Sequence, residues 1–242
     1  MSVSGYWFFV KRNTDQIPGN NQTKTAEQPN TPTEEASGFD KSKYSLTEPA
    51  SIWVVVNKKN ALPIGYKPAD LTVPNVALRL SKTHEQMQFS GKAVPDLEAM
   101  FAAAQKDGVE LVFGSAYRSG VLQKQFYDSY VARDGRDKAD TYSARPGHSE
   151  HQTGLAVDIT RADGKCHLEK CFEDTPEGKW IAANSYKYGF ILRYLEGKEA
   201  ITGYTYEPWH LRFVGRELAL EMNKHNMLTL EEFFGLPPAP TY

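Results

Sequence analysis

Short apolar runs, each bounded by turn-forming residues, follow one another along the chain after residue 50. They are rich in β-branched and aromatic side chains, which is typical of buried strands. We therefore predict strands at 52–56, 111–113, 155–159, 190–194 and 209–214.

Helix start and stop signals lie between these runs. Pro95 stands at a first helical position and Gly108 follows the last one, so an alanine-rich helix is predicted between them. Thr175 and the proline after it open another helix, which Gly189 closes. A last helix is predicted after Gly215.

Ser119 is a suitable N-cap for one more helix. In this helix Leu122, Phe126 and Tyr130 recur at i, i+4 spacing, so we expect them to face the core. Strands and helices succeed one another without strict βαβ alternation. The pattern predicts an α+β fold, with helices around a small, mostly antiparallel sheet.

Residues 1–50 have a different composition from the rest of the chain. An apolar stub at 6–10 is followed by Lys11 and Arg12, and then by a polar stretch at 13–43 whose only large apolar side chains are Ile17 and Phe39. Such a stretch buries too little surface to offset chain entropy. We predict a stub and disordered tether at 1–50 and one domain at 51–242. The stub is either the exit end of a membrane anchor whose start is missing or a disordered tip.

Composition narrows the class of protein. Of 242 residues, 40% are hydrophobic and 24% charged, as in ordinary soluble domains. A formal net charge of −2 does not favour nucleic acid as a partner, since that requires a basic excess. No apolar run is long enough to span a membrane, and two cysteines exclude a disulfide-rich scaffold.

Two histidines stand near carboxylates in a pattern that suits a metal. His151 lies seven residues before Asp158, and a turn at Gly154 followed by a short strand could bring both side chains to one face. Glu207 lies three residues before His210. Two imidazoles and one carboxylate form a common ligand set for catalytic zinc. A second carboxylate beside the metal stands where a general base belongs.

The motif around these residues is more specific than their spacing. Ser-x-His-x-x-Gly-x-Ala-x-Asp at 149–158, followed by Glu-x-Trp-His at 207–210, resembles the zinc D-alanyl-D-alanine carboxypeptidases of the VanY type, within the LAS group of peptidases. The resemblance continues at 53–58, 117–119 and 180–194, and so covers nearly all of the predicted domain.

The resemblance implies a single catalytic zinc ion held by His151, Asp158 and His210, with Glu207 as the catalytic base. It further implies that Arg118 polarises the scissile carbonyl and stabilises the developing oxyanion, a role that suits a permanently charged guanidinium.

Two further residues are expected near the substrate. By the same resemblance, Ser149 is a hydrogen-bond partner for the terminal carboxylate of the substrate. Gln125, on the helix after Arg118, is either a second residue of that pocket or a solvated helix residue. His148 lies close to His151, but no metal role transfers to it, and we place it at the pocket rim.

His84, His167 and His225 stand among polar neighbours and are expected at the surface. If the protein is exported, a local disulfide between Cys166 and Cys171 is favoured over free thiols. The family pattern does not require these cysteines.

The function expected from the resemblance is removal of the terminal D-Ala from peptidoglycan stem peptides, by a monomer acting in the cell envelope outside the cytoplasm. The alternatives are a D,D-dipeptidase on free D-Ala-D-Ala, an L,D-peptidase or endopeptidase of cross-linked cell-wall peptides on the same zinc site, and a peptidoglycan-binding module that has lost catalysis. The full set of metal-centre residues argues against the last.

Overall fold

Four antiparallel strands form the central sheet of the computed structural model, which describes residues 38–226 and 228–242. The apolar stub, the basic pair and most of the polar segment after them lie outside the described residues. In chain order the strands are β1 (Leu71–Thr72), β2 (Phe89–Ser90), β3 (Val112–Ser115), β4 (Ala156–Thr160), β5 (Phe190–Leu192) and β6 (His210–Phe213). β1 pairs with β2 alone, and the four-stranded sheet has the order β3-β4-β6-β5 with antiparallel neighbours throughout.

Helices surround this sheet, which confirms the α+β prediction. They are α1 (Val94–Lys106), α2 (Gly120–Asp134), α3 (Arg136–Ala139), α4 (Pro176–Asn184), α5 (Glu199–Thr202), α6 (Arg216–Lys224) and α7 (Leu230–Phe234). The predicted caps are present: Ser119 accepts a hydrogen bond from the amide of Leu122, and Thr175 accepts one from Gly178. None of the helices in the part of the chain that the structure describes combines the length and apolar character of a membrane span.

The predicted strand at 52–56 is wrong, although its residues are buried as expected. Trp53 is 1% exposed, but the segment joins no sheet. Its carbonyl groups are bound instead by a side chain, because Arg212 donates to the backbone oxygens of Val54 at 2.7 Å and Ile52 at 3.1 Å. A guanidinium thus satisfies carbonyls that a strand ladder would otherwise satisfy.

Two apolar cores contain most of the buried hydrophobic side chains of the described residues. The larger contains the inward side chains of α1, β4 and α4, among them Leu97, Val157 and Ile181, each fully buried. The smaller contains Trp53 and Val214 together with residues of α6 and α7.

Residues 39–50 are part of the compact unit, which begins at Phe39 rather than at residue 51. The ring of Phe39 stacks on Trp53 with centroids 5.6 Å apart and meets Phe233 edge-on at 5.7 Å. The amide of Val55 donates to the carbonyl of Leu46 at 2.9 Å. The polar composition of residues 39–50 therefore did not indicate that a few apolar side chains attach this segment to the domain.

We expect Phe39→Ala to lower the free energy of unfolding by about 2 kcal/mol, less than the roughly 3–5 kcal/mol lost with a fully buried Phe, because the ring is half-buried. Chemical denaturation monitored by tryptophan fluorescence measures the change. Ile64→Ala is the control, since Ile64 is 67% exposed and should change stability little. Equal stability of the two variants would show that residues 39–50 contribute nothing to the fold.

Candidate active site

A cleft of about 430 Å³ lies over the polar side of the sheet. The pairing of β4 with β6 places Asp158 directly opposite His210. On the other side of β4, Ser115 lies beside Asp158 and its Oγ donates to Asp158 Oδ2 at 2.6 Å. Since side chains alternate along a strand, Val157 and Ile159 enter the core while Asp158 faces the cleft.

His151 reaches the same point from a short 3-10 helix, Glu150–Thr153, immediately before β4. Gly154 ends this helix with a φ of +68°, a conformation that favours glycine. A Cβ at this position would lie 2.9 Å from Leu71 Cδ2. The turn that sequence analysis placed at Gly154 is therefore confirmed, and it aims His151 and Asp158 at one site.

The three predicted ligands form one buried cluster. His151 Nε2 lies 3.4 Å from Asp158 Oδ2, and His210 Nδ1 lies 3.4 Å from Asp158 Oδ1. One ligand atom from each of the three side chains lies within 4.8 Å of the others.

Contacts on the far side of each ring, a hydrogen bond for His151 and an approach to a carboxylate for His210, leave the other nitrogen facing the cluster. His151 Nδ1 lies 2.7 Å from the carbonyl oxygen of Ala116, which can only accept, so Nε2 presents a lone pair. His210 Nε2 faces Glu150 Oε2 at 3.5 Å, so Nδ1 faces the cluster. Burial lowers the pKa of His151, which keeps that ring neutral and able to bind a metal.

This cluster fits a zinc ion. Asp158 Oδ1 is buried and has no hydrogen-bond partner among the residues that the structure describes. Burial disfavours a charged His210, but the nearby carboxylates of Asp158 and Glu150 outweigh it and raise the pKa of His210 to about 9. Such a concentration of carboxylate charge attracts a cation, and two imidazoles with one carboxylate are a ligand set typical of catalytic zinc.

Glu207 lies at the edge of the cluster, with Oε2 3.4 Å from His210 Nδ1. A turn joins it to His210, whose amide donates to the Glu207 carbonyl at 3.1 Å. Burial raises the pKa of Glu207 to about 7. A carboxylate with a pKa near neutrality is suited to accept and return a proton.

Arg118 lines the same cleft and is held in place by its neighbours. Its Nη1 donates to Gln123 Oε1 at 2.9 Å, and its guanidinium lies 5.2 Å from the ring centroid of Phe126. Gln123 in turn donates to the carbonyl of Ala144 at 2.6 Å. Burial lowers the pKa of Arg118, while the carboxylates of Asp158 and Glu207 favour the charged form.

Gln125 does not reach the site, which corrects the expectation that it contributes to the pocket. It is exposed on α2, and the side chain that supports Arg118 is Gln123. At 3.6 residues per turn, a shift of two positions turns a side chain by about 200° to the opposite side of a helix. The fully buried positions of α2 are Gly120, Gln123 and Tyr127. Leu122, Phe126 and Tyr130 are only half-buried.

Ser149 is buried and lines the cleft beside His151, where sequence analysis placed it. His148 does not lie at the rim. Its Nδ1 bonds the carbonyl oxygen of Asn57 at 2.8 Å, and its ring meets Tyr242 edge-on at 5.0 Å. His84 and His225 are exposed as expected, whereas His167 is half-buried.

Glu150 was not among the predicted site residues, and its side chain is 0% exposed. Its Oε1 accepts from Arg193 at 2.8 Å and from Arg212 at 2.7 Å. Its Oε2 faces His210 Nε2. Arg193 also binds Glu231 through two hydrogen bonds of 3.0 and 2.8 Å. Two carboxylates and two guanidiniums thus form a buried charge cluster directly beneath the candidate metal ligand His210.

The disulfide between Cys166 and Cys171 is present, with the two Cα atoms 5.5 Å apart. It closes a loop between β4 and α4, and Leu168 of this loop lines the cleft.

Comparison with known proteins places this geometry in a family. The family model for VanY, described as D-alanyl-D-alanine carboxypeptidase, matches residues 86–216. The chain belongs to the VanY family. A relative from Bacillus subtilis (strain 168), named putative carboxypeptidase YodJ, is 45% identical over 190 residues, which are 78% of this chain and 69% of that protein.

Solved structures of similar proteins agree with the family. The LdcB LD-carboxypeptidase is 45% identical with a TM-score of 0.73, over 77% of this chain and 87% of that one. A mutant of the vancomycin-resistance D,D-pentapeptidase VanY in complex with Zn(II) is 35% identical with a TM-score of 0.61, over 74% of this chain and 97% of that one. The predicted zinc-peptidase fold is confirmed.

We expect His151→Ala, Asp158→Ala and His210→Ala each to lose bound metal, because two remaining protein ligands hold zinc weakly. Mass spectrometry of the purified, folded variants measures metal per chain. His148→Ala is the matched control and should retain the metal of the wild type. Loss of metal in that control, with retention in His151→Ala, would refute the ligand set.

Glu150→Gln should lower zinc affinity by about 10–100-fold, the range for residues that orient a ligand, because a neutral amide is a weaker acceptor for His210 Nε2–H. Competition with a chromogenic chelator measures the affinity. Glu231→Gln is the control, since it removes a carboxylate from the same buried cluster without facing His210. Both variants should unfold at lower temperature, and equal zinc affinities would show that Glu150 acts on the fold alone.

Proposed function

We propose that this protein is a zinc-dependent D-alanyl-D-alanine carboxypeptidase that removes the terminal D-Ala from peptidoglycan stem peptides. The observation that carries the proposal is the juxtaposition of the buried cluster His151, Asp158 and His210 with Glu207. All four residues fall within the region that matches the VanY family model.

In this proposal His151, Asp158 and His210 hold the zinc ion, through Nε2, a carboxylate oxygen and Nδ1. When bound, the ion polarises the scissile carbonyl and lowers the pKa of water. The buried position of the three side chains restricts their rotamers and so fixes the ligand geometry before substrate arrives.

Glu207 is the general base and then the general acid. Its carboxylate accepts a proton from the attacking water and returns that proton to the amine that leaves, so that the peptide C–N bond is exchanged for an acid and a free amine. Burial in the cleft supports this role, since it raises the pKa of Glu207 to about 7 and lets the group hold or release a proton near neutral pH.

Arg118 binds the carbonyl oxygen on which negative charge develops. Its guanidinium is oriented before substrate binds, because Gln123 accepts one of its hydrogen bonds and Phe126 lies beside its plane. The residue lines the cleft, where its guanidinium can donate to the substrate. A preorganised donor of this kind stabilises the transition state without reorganisation at the moment of reaction.

Ser149 contributes to recognition of the terminal carboxylate of the substrate. Its position next to His151, at the wall of the cleft, supports this role. A site built for a free carboxylate is left with unpaired polar groups when the substrate lacks one. The enzyme would therefore act at chain ends.

The protein would act outside the cytoplasm, in the cell envelope, where its substrate is located. The Cys166–Cys171 disulfide supports this location, because such bonds persist in oxidising compartments. We further propose that it acts as a monomer and that the segment before Phe39 connects the domain to the membrane.

A second candidate is L,D-carboxypeptidase activity, which would remove D-Ala from tetrapeptide stems. The observation that favours it is the similarity to the LdcB LD-carboxypeptidase, at 45% identity and a TM-score of 0.73. The metal cluster, Glu207 and Arg118 serve both reactions, since only the residue before the scissile bond differs.

Mass analysis of products from purified stem peptides tests both candidates. With zinc-loaded enzyme, a pentapeptide ending in D-Ala-D-Ala should lose one alanine, and C-terminal amidation of that peptide should abolish most cleavage. Glu207→Gln should bind zinc but lose at least about a hundredfold in turnover, the low end for a general base. Faster cleavage of tetrapeptide than of pentapeptide would favour the L,D activity, and equal cleavage of amidated and free peptides would favour an endopeptidase.

A further inference from the structure

The loop between β4 and α4 is held at several points. Cys166 is joined to Cys171 and packs against the larger core. His167 Nδ1 lies 3.1 Å from Thr160 Oγ1, at the end of the strand that carries Asp158. Lys170 forms an ion pair with Glu196. These contacts define the position of the one residue of the loop that lines the cleft, Leu168.

Leu168 combines two unfavourable features. Its φ is +54°, in the left-handed region that a branched aliphatic residue rarely adopts. Its side chain is 41% exposed, although it is aliphatic. Neither cost is offset by burial of Leu168 in the domain. Strained residues of this kind concentrate where a ligand is contacted.

The surroundings of Leu168 define what it contacts. The cleft is lined mainly by charged residues, serines and tyrosines, so aliphatic surface is scarce there. Glu207 and His210 line the same cleft. A small apolar group of a substrate bound at the scissile position would find in Leu168 an apolar partner, and burial of a methyl group against it is favourable.

We propose that Leu168 is a specificity-determining residue, which contacts the methyl group of the terminal D-alanine, and that the Cys166–Cys171 disulfide holds it in the cleft. This inference rests on the proposed carboxypeptidase function, because it names the substrate group that the cleft wall recognises. The terminal D-alanine is common to the D,D and L,D reactions, so the inference holds for either.

The test compares stem peptides that end in D-Ala or in Gly, which differ by one methyl group. Wild-type enzyme should prefer D-Ala by about tenfold in kcat/KM, the lower end of the discrimination that one methylene gives. Leu168→Ala should reduce the preference to about threefold or less, with zinc content and thermal stability unchanged. Leu220→Ala is the matched control, since Leu220 is 43% exposed on α6 and does not line the cleft.

A variant with Cys166→Ser and Cys171→Ser should lose the preference to the same extent, and adding Leu168→Ala to it should change the preference no further. Full retention of the preference in Leu168→Ala would overturn the contact. Loss in Leu168→Ala with retention in the serine variant would overturn the role of the disulfide. Absence of cleavage of either peptide by zinc-loaded wild type is a different outcome, which would overturn the proposed function itself.

Discussion

The candidate active site depends on a cluster of opposite charges that is wholly removed from water. Glu150 pairs with both Arg193 and Arg212, Glu231 pairs with Arg193, and all four side chains are 0% exposed. Breaking such a pair by removing one partner costs about 3–5 kcal/mol, because an uncompensated charge remains buried. The cluster joins β6, α7 and the 3-10 helix before β4, and one of its carboxylates faces the ring of His210. Stability of the domain and orientation of a candidate metal ligand therefore rest on the same contacts.

Much of the site could be predicted because several of its residues lie close together in the sequence, in recognisable local patterns. The ligands His151 and Asp158 are separated by a glycine turn and a short strand, and both features leave signals in the sequence. Helix caps such as Ser119 and Thr175 are equally local. The capping hydroxyl and the backbone amide that it binds are only three residues apart, so the cap can be predicted from the sequence without knowledge of the fold. His210 was a candidate because Glu207 stands near it, but its place in the same site as His151 required the resemblance to a family, because nothing local indicates that β6 pairs with β4.

What could not be predicted arises from contacts between residues distant in sequence. The segment 52–56 has the composition of a strand, but its carbonyls bind Arg212, far along the chain. From the sequence alone, Glu150 cannot be told from a surface glutamate. Only the fold shows that Arg193 and Arg212 bind it in the interior. The pocket role considered for Gln125 is wrong for a geometric reason, since the orientation of α2 about its own axis brings Gln123, and not Gln125, to Arg118.

The division of the site between a strand pair and the loops around it has an evolutionary consequence. Asp158 and His210 are cross-strand neighbours, so their separation follows from the spacing of the sheet. The wall that carries Leu168 belongs to a loop that can lengthen, shorten or acquire a cross-link without disturbing that spacing. If Leu168 sets substrate preference as proposed, hydrolytic chemistry and substrate preference would depend on different parts of the chain. Substitutions in that loop would then change which cell-wall peptide is trimmed, while the spacing between Asp158 and His210 stays the same.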